Sequence, residues 1–386
     1  MLKNKRILIV SPQSWGNMFI AKHHYAIELA RSGNEVYFLD PPSANLSLKP
    51  ASKRIRIAPS GAHENLFVIR HDLFFPYRFY FHGKPIFLFF MKFQIASILK
   101  RIGKKIDVIW SFDLGNMYRF SFFPSEAYKI FHPVDEPTTR ESLKSGEEAD
   151  IIFSVTNEIL GKYAHRKVPS IFVHHGVSQE FFSSNGSVRD AHEAVRVGLS
   201  GNFLRPDIDR DILLQIVKEN PNIIFECWGA YEKTQANLGG DYSDEASKFV
   251  NALKKSPNVI LHGPVKTKDL AKSIGRMDAF LICYDVIKDA SKGTNYHKVM
   301  EYLSTGKVVI SNNITTYKDH EDLVVMVQER DHNKNLPRLF AKVMSQLDQY
   351  NSPEMQERRI TFAKENLYHN KILVIDKYIE SHSARK

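Results

Sequence analysis

The stretch RILIVSPQSWGNMFIAKHHYAIELARSGNEVYFLDPP, residues 6–42, contains one complete strand–helix–strand unit. Residues 6–11 form a short and almost wholly apolar run, which is typical of a strand buried on both faces of a parallel sheet. The periodic residues 20–32 predict a helix that ends at Gly33, where a left-handed residue is favoured, and residues 35–39 predict the second strand. We therefore expect a βαβ unit at the start of the chain.

The alternation of strands and helices continues along the rest of the chain. Further strands are predicted at residues 66–70, 107–111, 128–132, 149–155, 170–174, 195–199, 223–228, 259–261, 279–284 and 308–311, and helices at about 85–101, 209–218, 243–255 and 296–304. Residues 181–194 lose this periodicity and are rich in Ser, Asn and Gly, which indicates a linker. We expect two doubly wound α/β domains, residues 1–180 and 195–350, followed by one long helical segment at 351–386.

Length and composition exclude several classes of protein. The chain has 386 residues, which favours two domains over one, and its 43% hydrophobic and 25% charged residues exclude disorder, collagen and coiled coil. Cys227 and Cys283 lie in apolar runs, so we expect buried thiols in a reducing compartment. The apolar run at residues 7–10 is too short for a signal peptide, and no window reaches the roughly 18 apolar residues of a spanning helix. These features predict a cytoplasmic protein that is at most peripheral on the inner face of a membrane.

The positive charge is concentrated in one segment. The net charge is +10, and residues 49–105 carry all of it, because they hold twelve Lys and Arg residues and only two acidic residues, Glu64 and Asp72. This segment includes FFPYRFYFHGKPIFLFFMKF, residues 74–93, in which phenylalanines alternate with basic side chains. Such a mixture suits an anionic membrane surface or an amphiphilic acceptor; the alternative is a buried helix whose basic residues are simply solvated. The sequence contains no nucleic-acid-binding motif, so we expect no nucleic-acid partner.

The stretch NYHKVMEYLSTGKVVISNN, residues 295–313, is the strongest local motif. Lys298 and Glu301 lie three residues apart, so a helix places both on one face near its N-terminal end. A helix N-terminus attracts phosphate, and Glu301 can accept two hydrogen bonds from a ribose diol. The alternative is an amphipathic helix with an exposed ion pair, which contributes little.

Residues 298–309, KVMEYLSTGKVV, resemble the signature of nucleotide-sugar-dependent glycosyltransferases of the GT-B fold, particularly the glycosyltransferase group 1, or family 4-like, proteins. Other matches to this family follow in the family's order: residues 11–42, EADIIFSVTNEILGKY at 148–163, VHHGVSQEFF at 173–182, VGLSGNF at 197–203, PNIIFECWG at 221–229, PNVILHGPV at 257–265 and MDAFLICY at 277–284. The resemblance implies two Rossmann-like domains that face a central cleft, with the C-terminal helix packing back on the N-terminal domain. It also implies transfer of a sugar from a nucleotide-diphosphate sugar to a hydroxyl of a glycan or lipid-linked acceptor in surface polysaccharide synthesis, with neither cofactor nor metal.

In this family the C-terminal domain binds the donor, and the resemblance implies a role for nine residues there. Glu301 would bind the ribose, and Lys298 would meet the diphosphate or the transferred sugar. The remaining candidates are Gly201 and Asn202, whose backbone N–H groups would approach the phosphates, Arg205 as a further phosphate ligand, His262 and Val265 beside the base, and Thr294 and Asn295 beside Lys298.

One departure from the family pattern affects the sugar contact. Many retaining members carry two glutamates eight residues apart; the second matches Glu301, but Gly293 stands at the position of the first. The donor, the acceptor and the stereochemical outcome therefore stay open. A nucleotide-sugar epimerase of the same fold and a binding protein that has lost catalysis are the alternatives.

The acceptor side belongs to the N-terminal domain. Gly16 lies in the loop after the first strand, where a side chain would block the cleft, although a turn glycine is the simpler alternative. Asp135 follows a predicted buried strand and resembles the base of inverting GT-B enzymes, which needs to reach the acceptor hydroxyl; the alternative is a loop-capping aspartate. Asp113, at the end of another strand, is the rival candidate.

Overall fold

The structure is a computed structural model that describes residues 2–16, 19–182, 194–235 and 241–383. The chain forms two compact units: Met1–His174 with Tyr368–Lys386, here the N-terminal unit, and His175–Leu367, here the C-terminal unit. The division falls before the predicted linker, because Val177 already pairs with Leu367 and packs in the core of the C-terminal unit. Residues 183–193 of that linker lie outside the described residues.

Nine described strands form the sheet of the N-terminal unit: β1 (Arg6–Val10), β2 (Glu35–Leu39), β3 (Ser43–Leu46), β4 (Ile55–Pro59), β5 (Leu66–Leu73), β6 (Val108–Ser111), β7 (Tyr128–Phe131), β8 (Ile151–Ser154) and β9 (Ser170–Phe172). Their order is β3-β5-β2-β1-β6-β7-β8-β9, with β4 antiparallel to β5. The helices are α1 (Ala21–Arg31), α2 (Ala51–Arg54), α3 (Phe79–His82), α4 (Lys84–Ile102), α5 (Arg140–Lys144) and α6 (Asn157–Tyr163). Leu8 and Val10 pack on one face of the sheet and Ile7 and Ile9 on the other, which explains why β1 is apolar throughout.

The C-terminal unit contains a second parallel sheet, of β10 (Arg196–Ser200), β11 (Ile224–Trp228), β12 (Val259–Gly263), β13 (Ala279–Ile282), β14 (Val308–Ser311) and β15 (Val324–Met326). Its helices are α7 (Arg210–Glu219), α8 (Asp244–Lys255), α9 (Thr267–Ile274), α10 (Lys298–Leu303), α11 (Leu336–Ser345) and α12 (Leu347–Tyr350). The strand order is β12-β11-β10-β13-β14-β15, which is the order of a Rossmann sheet. The order reverses between β10 and β13, where such sheets bind ligands at the carboxyl ends of their strands. Cys227 and Cys283 are buried free thiols, as expected.

The last part of the chain forms two helices, α13 (Pro353–Glu365) and α14 (Tyr368–Ser383). The prediction of one long helix at 351–386 is wrong, because Asn366 ends α13 and the next residue, Leu367, bridges to Val177. The backbone N–H of Val177 also donates to the carbonyl of Asn366 at 3.0 Å. After this break α14 packs against α1 and buries its isoleucines in the N-terminal unit, so the prediction that the C-terminal helix packs back is confirmed.

Helix α4 has features of both structures predicted for the basic, aromatic segment: some of its apolar side chains are buried in the core, and others are exposed. Phe87 and Met91 lie in the core, whereas Ile86, Phe89 and Phe93 are more than half exposed. None of the helices in the described residues is both long enough and apolar enough to span a membrane.

Candidate functional site

The candidate donor site lies where the strand order of the second sheet reverses. A cavity of about 30 Å³, room for about one water molecule, opens between the carboxyl ends of β10 and β13. It is lined by Ser200 and Gly201 at the end of β10, by Tyr284 just after β13, and by Lys298 at the start of α10. The sheet topology thus brings residues from three distant parts of the C-terminal unit to one point.

Lys298 is buried and fixed in position. Its side chain is hydrogen-bonded through Nζ to the carbonyl oxygen of Ser200 and to the hydroxyl of Tyr284, each at 2.5 Å, and the residue is only 6% exposed. Helix α10 begins at this residue, two positions later than the predicted start. Among the described residues Lys298 and Glu301 form no ion pair, so the alternative of an exposed i, i+3 pair is wrong.

Three glycines lie at the ends of three neighbouring strands of the second sheet. Gly201, Gly229 and Gly263 follow or end β10, β11 and β12, and all three have positive φ angles. A Cβ on Gly201 would lie 2.7 Å from the Nζ of Lys298, and one on Gly229 would lie 1.7 Å from the carbonyl oxygen of Gly201. Gly201 and Gly229 are therefore required for the close approach of their strand ends; Gly201 was identified from the sequence, whereas Gly229 was not.

The predicted role of the Gly201 backbone needs correction. Its N–H already donates to the carbonyl oxygen of Trp228 at 2.8 Å, so it is occupied and does not point at a ligand. Asn202 orders the same loop, since its side-chain oxygen accepts the N–H of Leu204 at 2.9 Å. The contribution of Gly201 is thus the space it leaves for Lys298.

Arg205 lies beside the same tyrosine. Its guanidinium makes a two-pronged ion pair with the buried carboxylate of Asp207 and lies 3.8 Å from Asp289, 5.5 Å above the ring of Tyr284. The hydrogen bonds that the guanidinium donates to Asp207 hold its pKa above the ordinary value. The side chain is 46% exposed, so an anion can still reach its free edge.

The loop before α10 is organised by Asp289, which sequence analysis missed. Burial would raise the pKa of this carboxyl, but hydrogen bonds from Ser291, Tyr296 and the Gly293 N–H outweigh it and hold the pKa below its ordinary value. Gly293 is buried with φ +64°, and a Cβ there would lie 2.8 Å from the carbonyl oxygen of Asn313. The loop is therefore built around glycine at the position where many retaining enzymes of the resembled family carry glutamate. The candidate residues that follow, Thr294 and Asn295, are also buried.

Glu301 is partly buried, and its carboxylate makes no hydrogen bond within the part of the chain that the structure describes. Burial raises the pKa of Glu301 to about 7, although the nearby charge of Lys298 opposes the rise. A carboxylate without a protein partner beside a fixed ammonium is available to hydroxyl groups of a ligand.

His262 and Val265 lie at the carboxyl end of β12. The Nε2 of His262 is 2.8 Å from a carboxylate oxygen of Glu226, and its ring stacks on Trp228 with the centroids 5.1 Å apart. Val265 follows in an exposed loop. The pair thus presents one ordered ring and one exposed apolar side chain at this edge of the sheet.

The three acceptor-side candidates have different surroundings. Asp113 accepts the backbone N–H groups of Gly115, Met117 and Tyr118 at 2.7, 2.7 and 2.9 Å, so its carboxylate closes a loop, which argues against a role as a base. Asp135 lies exposed after β7. At Gly16 an added Cβ would meet no atom within 4 Å of the described chain, so steric need is not the reason for this glycine.

No protein-family model matches the sequence, and no curated protein matches it. Solved structures do match. The first is sucrose-phosphate synthase from Thermosynechococcus elongatus, with a TM-score of 0.64, 11% identity, and coverage of 99% of this chain and 100% of that one.

Two other similar structures cover nearly the whole chain. A glycosyltransferase from Rickettsia africae has a TM-score of 0.65 at 13% identity, covering 98% of each chain. HepE of Anabaena, in complex with UDP and glucose, has a TM-score of 0.64 at 12% identity and covers 98% of this chain and 99% of that one. Both Rossmann-like units are thus matched in their chain order, and the protein has the GT-B fold of nucleotide-sugar glycosyltransferases.

Proposed function

We propose that the protein is an enzyme that transfers a sugar from a nucleotide-diphosphate sugar to a hydroxyl of a glycan or lipid-linked acceptor in surface polysaccharide synthesis. The observation that carries the proposal is the buried ammonium of Lys298 beside Gly201, at the point where the Rossmann sheet reverses its order. The similar Anabaena structure is in complex with UDP and glucose, which supports a nucleotide-sugar donor.

The proposed chemistry uses charges that are already in place. Lys298 and Arg205 meet the diphosphate, whose negative charge grows as its bond to the anomeric carbon breaks. Glu301 accepts hydrogen bonds from the ribose diol, and Asp135 takes the proton of the acceptor hydroxyl as its oxygen attacks the sugar. In the same proposal Thr294 and Asn295 contact the sugar, and His262 and Val265 border the base.

A thermal-shift screen against UDP, GDP, ADP, CMP and their sugars tests the donor site. We expect one nucleotide to raise the melting temperature of the native protein and to lose this effect in Glu301→Ala, because a ligand that binds only the folded state stabilises it by mass action. Release of free nucleoside diphosphate with an acceptor present separates transfer from epimerisation. Binding without any turnover would instead favour a protein that has lost catalysis.

Donor binding is expected to depend on the ionisation of Glu301. Its carboxylate form accepts two hydroxyl hydrogen bonds, and with a pKa of about 7 the ionised fraction rises steeply between pH 6 and pH 8. The affinity for the nucleotide, measured by calorimetry, should therefore rise by about tenfold across this range. Glu301→Gln, which cannot ionise, is the matched control for titration of the nucleotide itself. The same pH profile in both proteins would contradict this role.

We also propose that α3 and α4 contact an anionic membrane surface, where a lipid-linked acceptor is presented. Phe89 is 60% exposed on α4, and Phe93 lies one turn further along the same face, with the exposed Lys92 beside it. Lys84, by contrast, is hydrogen-bonded to the carbonyl of Gly115 and lies over the ring of Tyr80, so it belongs to the unit's own packing.

Removing the exposed rings is expected to weaken membrane binding. Phe89→Ser with Phe93→Ser should reduce partitioning to vesicles containing anionic lipid by about tenfold or more, because the transfer of each ring from water into the membrane is favourable. Vesicle sedimentation measures the effect. Leu373→Ser with Val374→Ser, at two exposed apolar positions of α14, is the control. Equal losses in both variants, or no loss in the first, would remove the membrane contact from the proposal.

A further inference from the structure

Lys22 is a buried lysine for which the described residues provide no partner. It lies in the first turn of α1, is 1% exposed, and makes neither a hydrogen bond nor an ion pair within the part of the chain that the structure describes. Burial lowers the pKa of its ammonium, although the charge of Asp135 opposes that shift. A buried charge without a partner destabilises a folded protein, so such a group is expected where a ligand completes it.

His132 is a second buried donor on the same side of the sheet. It is fully buried, and its ring is packed between Phe112 and Tyr25, with centroid distances of 5.1 and 5.4 Å. The indole N–H of Trp110, which can only donate, lies 3.4 Å from Nδ1. Nδ1 is therefore the acceptor and Nε2 carries the hydrogen, and this Nε2 has no partner among the described residues.

Both groups lie on the same side of the sheet, because Tyr25, three residues after Lys22 in α1, packs its ring against that of His132. Burial first, and then the charge of Lys22, lower the pKa of His132 to about 3, so the ring stays neutral and keeps its single donor at Nε2. Both side chains follow the carboxyl ends of strands, Lys22 after β1 and His132 directly after β7. They thus lie at the edge where a parallel sheet binds its ligands.

We propose that Lys22 and His132 form a subsite for an oxyanion, a phosphate or a carboxylate, carried by the acceptor. Both groups are donors and one is charged, so a cation is repelled and a plain hydroxyl leaves the ammonium uncompensated. The inference rests on the proposed transfer reaction and adds to it the chemical class of the acceptor. The acceptor is then an acidic glycan or a lipid phosphate, and the exposed Asp135 follows His132 by three residues in the same loop.

The stability of Lys22→Met separates a ligand-binding lysine from a structural one. Methionine has a similar length and no charge, so removal of an unpartnered buried ammonium is expected to raise the midpoint of denaturation in the absence of ligand. A lower midpoint would show that Lys22 stabilises the fold, for example through Asp135, and would overturn the proposal. This measurement needs no donor, so it is independent of the transfer reaction.

Binding of inorganic phosphate tests the subsite directly. In a Lys298→Met background, which removes one of the two candidate phosphate ligands of the donor site, phosphate should bind the full chain saturably in calorimetry. The additional change Lys22→Met should weaken this binding by at least about tenfold. Equal binding by both proteins, or none by either, would overturn the proposal.

Two further probes distinguish the source of the oxyanion. Glycerol phosphate stands for a lipid phosphate and glucuronate for an acidic sugar, and the one that binds more tightly in a Lys22-dependent manner identifies the acceptor. Nucleotide binding to Lys22→Met should equal that of the native protein. If the native protein binds no nucleotide, the donor site fails, whereas the phosphate result still decides the subsite.

Discussion

Replacing Lys298 with methionine is expected to reduce sugar transfer by about 100-fold to 1000-fold, the usual effect of removing one fixed donor that meets developing negative charge. The ammonium is buried and immobilised by Ser200 and Tyr284, so it needs no reorganisation when the diphosphate leaves. Steady-state kinetics measure the effect. The value of kcat/KM should fall by a larger factor than KM rises, because the interaction strengthens in the transition state.

Lys288→Met is the matched control for this substitution. Lys288 is a lysine of the same unit, but it is 65% exposed and paired with Asp285 three residues away. Such pairs contribute little, so activity and stability should be unchanged. Because Lys298 also bonds two groups of the fold, the denaturation midpoint of its variant is measured alongside. Normal turnover in a folded Lys298→Met protein would exclude the proposed diphosphate contact.

Replacing Gly229 with alanine is expected to destabilise the C-terminal unit by about 4 kcal/mol or more, in the range of the most severe single substitutions. The added Cβ would lie 1.7 Å from the carbonyl oxygen of Gly201, and the backbone at Gly229 has a φ of +132°. Neither partner can move aside, because both are main-chain groups that directly follow the paired strands β10 and β11, and the N–H groups of both glycines are themselves hydrogen-bonded. Denaturant unfolding measures the change, and nucleotide binding should fall with it.

Gly161→Ala provides the opposite case. This glycine lies in α6, and an added Cβ would meet no atom within 4 Å. Alanine is the better helix former, so stability should stay the same or rise by up to about 1 kcal/mol. If Gly229→Ala unfolds at the same denaturant concentration as Gly161→Ala, the close packing of Gly229 against the carbonyl oxygen of Gly201 is contradicted.

The fold was largely predictable because its buried strands are apolar on both faces. Such strands are continuous in sequence and separated by periodic helices, as in residues 6–42. Strand β4 (Ile55–Pro59) was missed because it lies at an edge, antiparallel to β5, and carries Arg56 and Pro59 among its five residues. The break between α13 and α14 was missed for another reason: it depends on the bridge from Leu367 to Val177, which is distant in sequence.

The candidate site was predicted only in part. The position of Lys298 followed from its motif, but the engagement of Asp113 by three backbone N–H groups depends on a loop conformation that no spacing reveals. Lys22 did have a signal. It lies three, four and seven residues before Tyr25, Ala26 and Leu29, so helical periodicity places it on the buried face of α1. A lysine on an apolar stripe identifies a buried charge from sequence alone.

The return of α14 to the N-terminal unit has a consequence for the synthesis of the chain. The N-terminal unit needs Ile372, Ile375 and Ile379 to complete its core, yet residues 175–367 are synthesised in between. At roughly 5–20 residues per second a ribosome takes about 10 to 40 seconds over that interval. During this time the part of the apolar core that α14 covers is exposed, and such a surface is a target for chaperones. The C-terminal unit is continuous in sequence, so it completes its fold first. The N-terminal unit completes its fold last, although most of it is synthesised first.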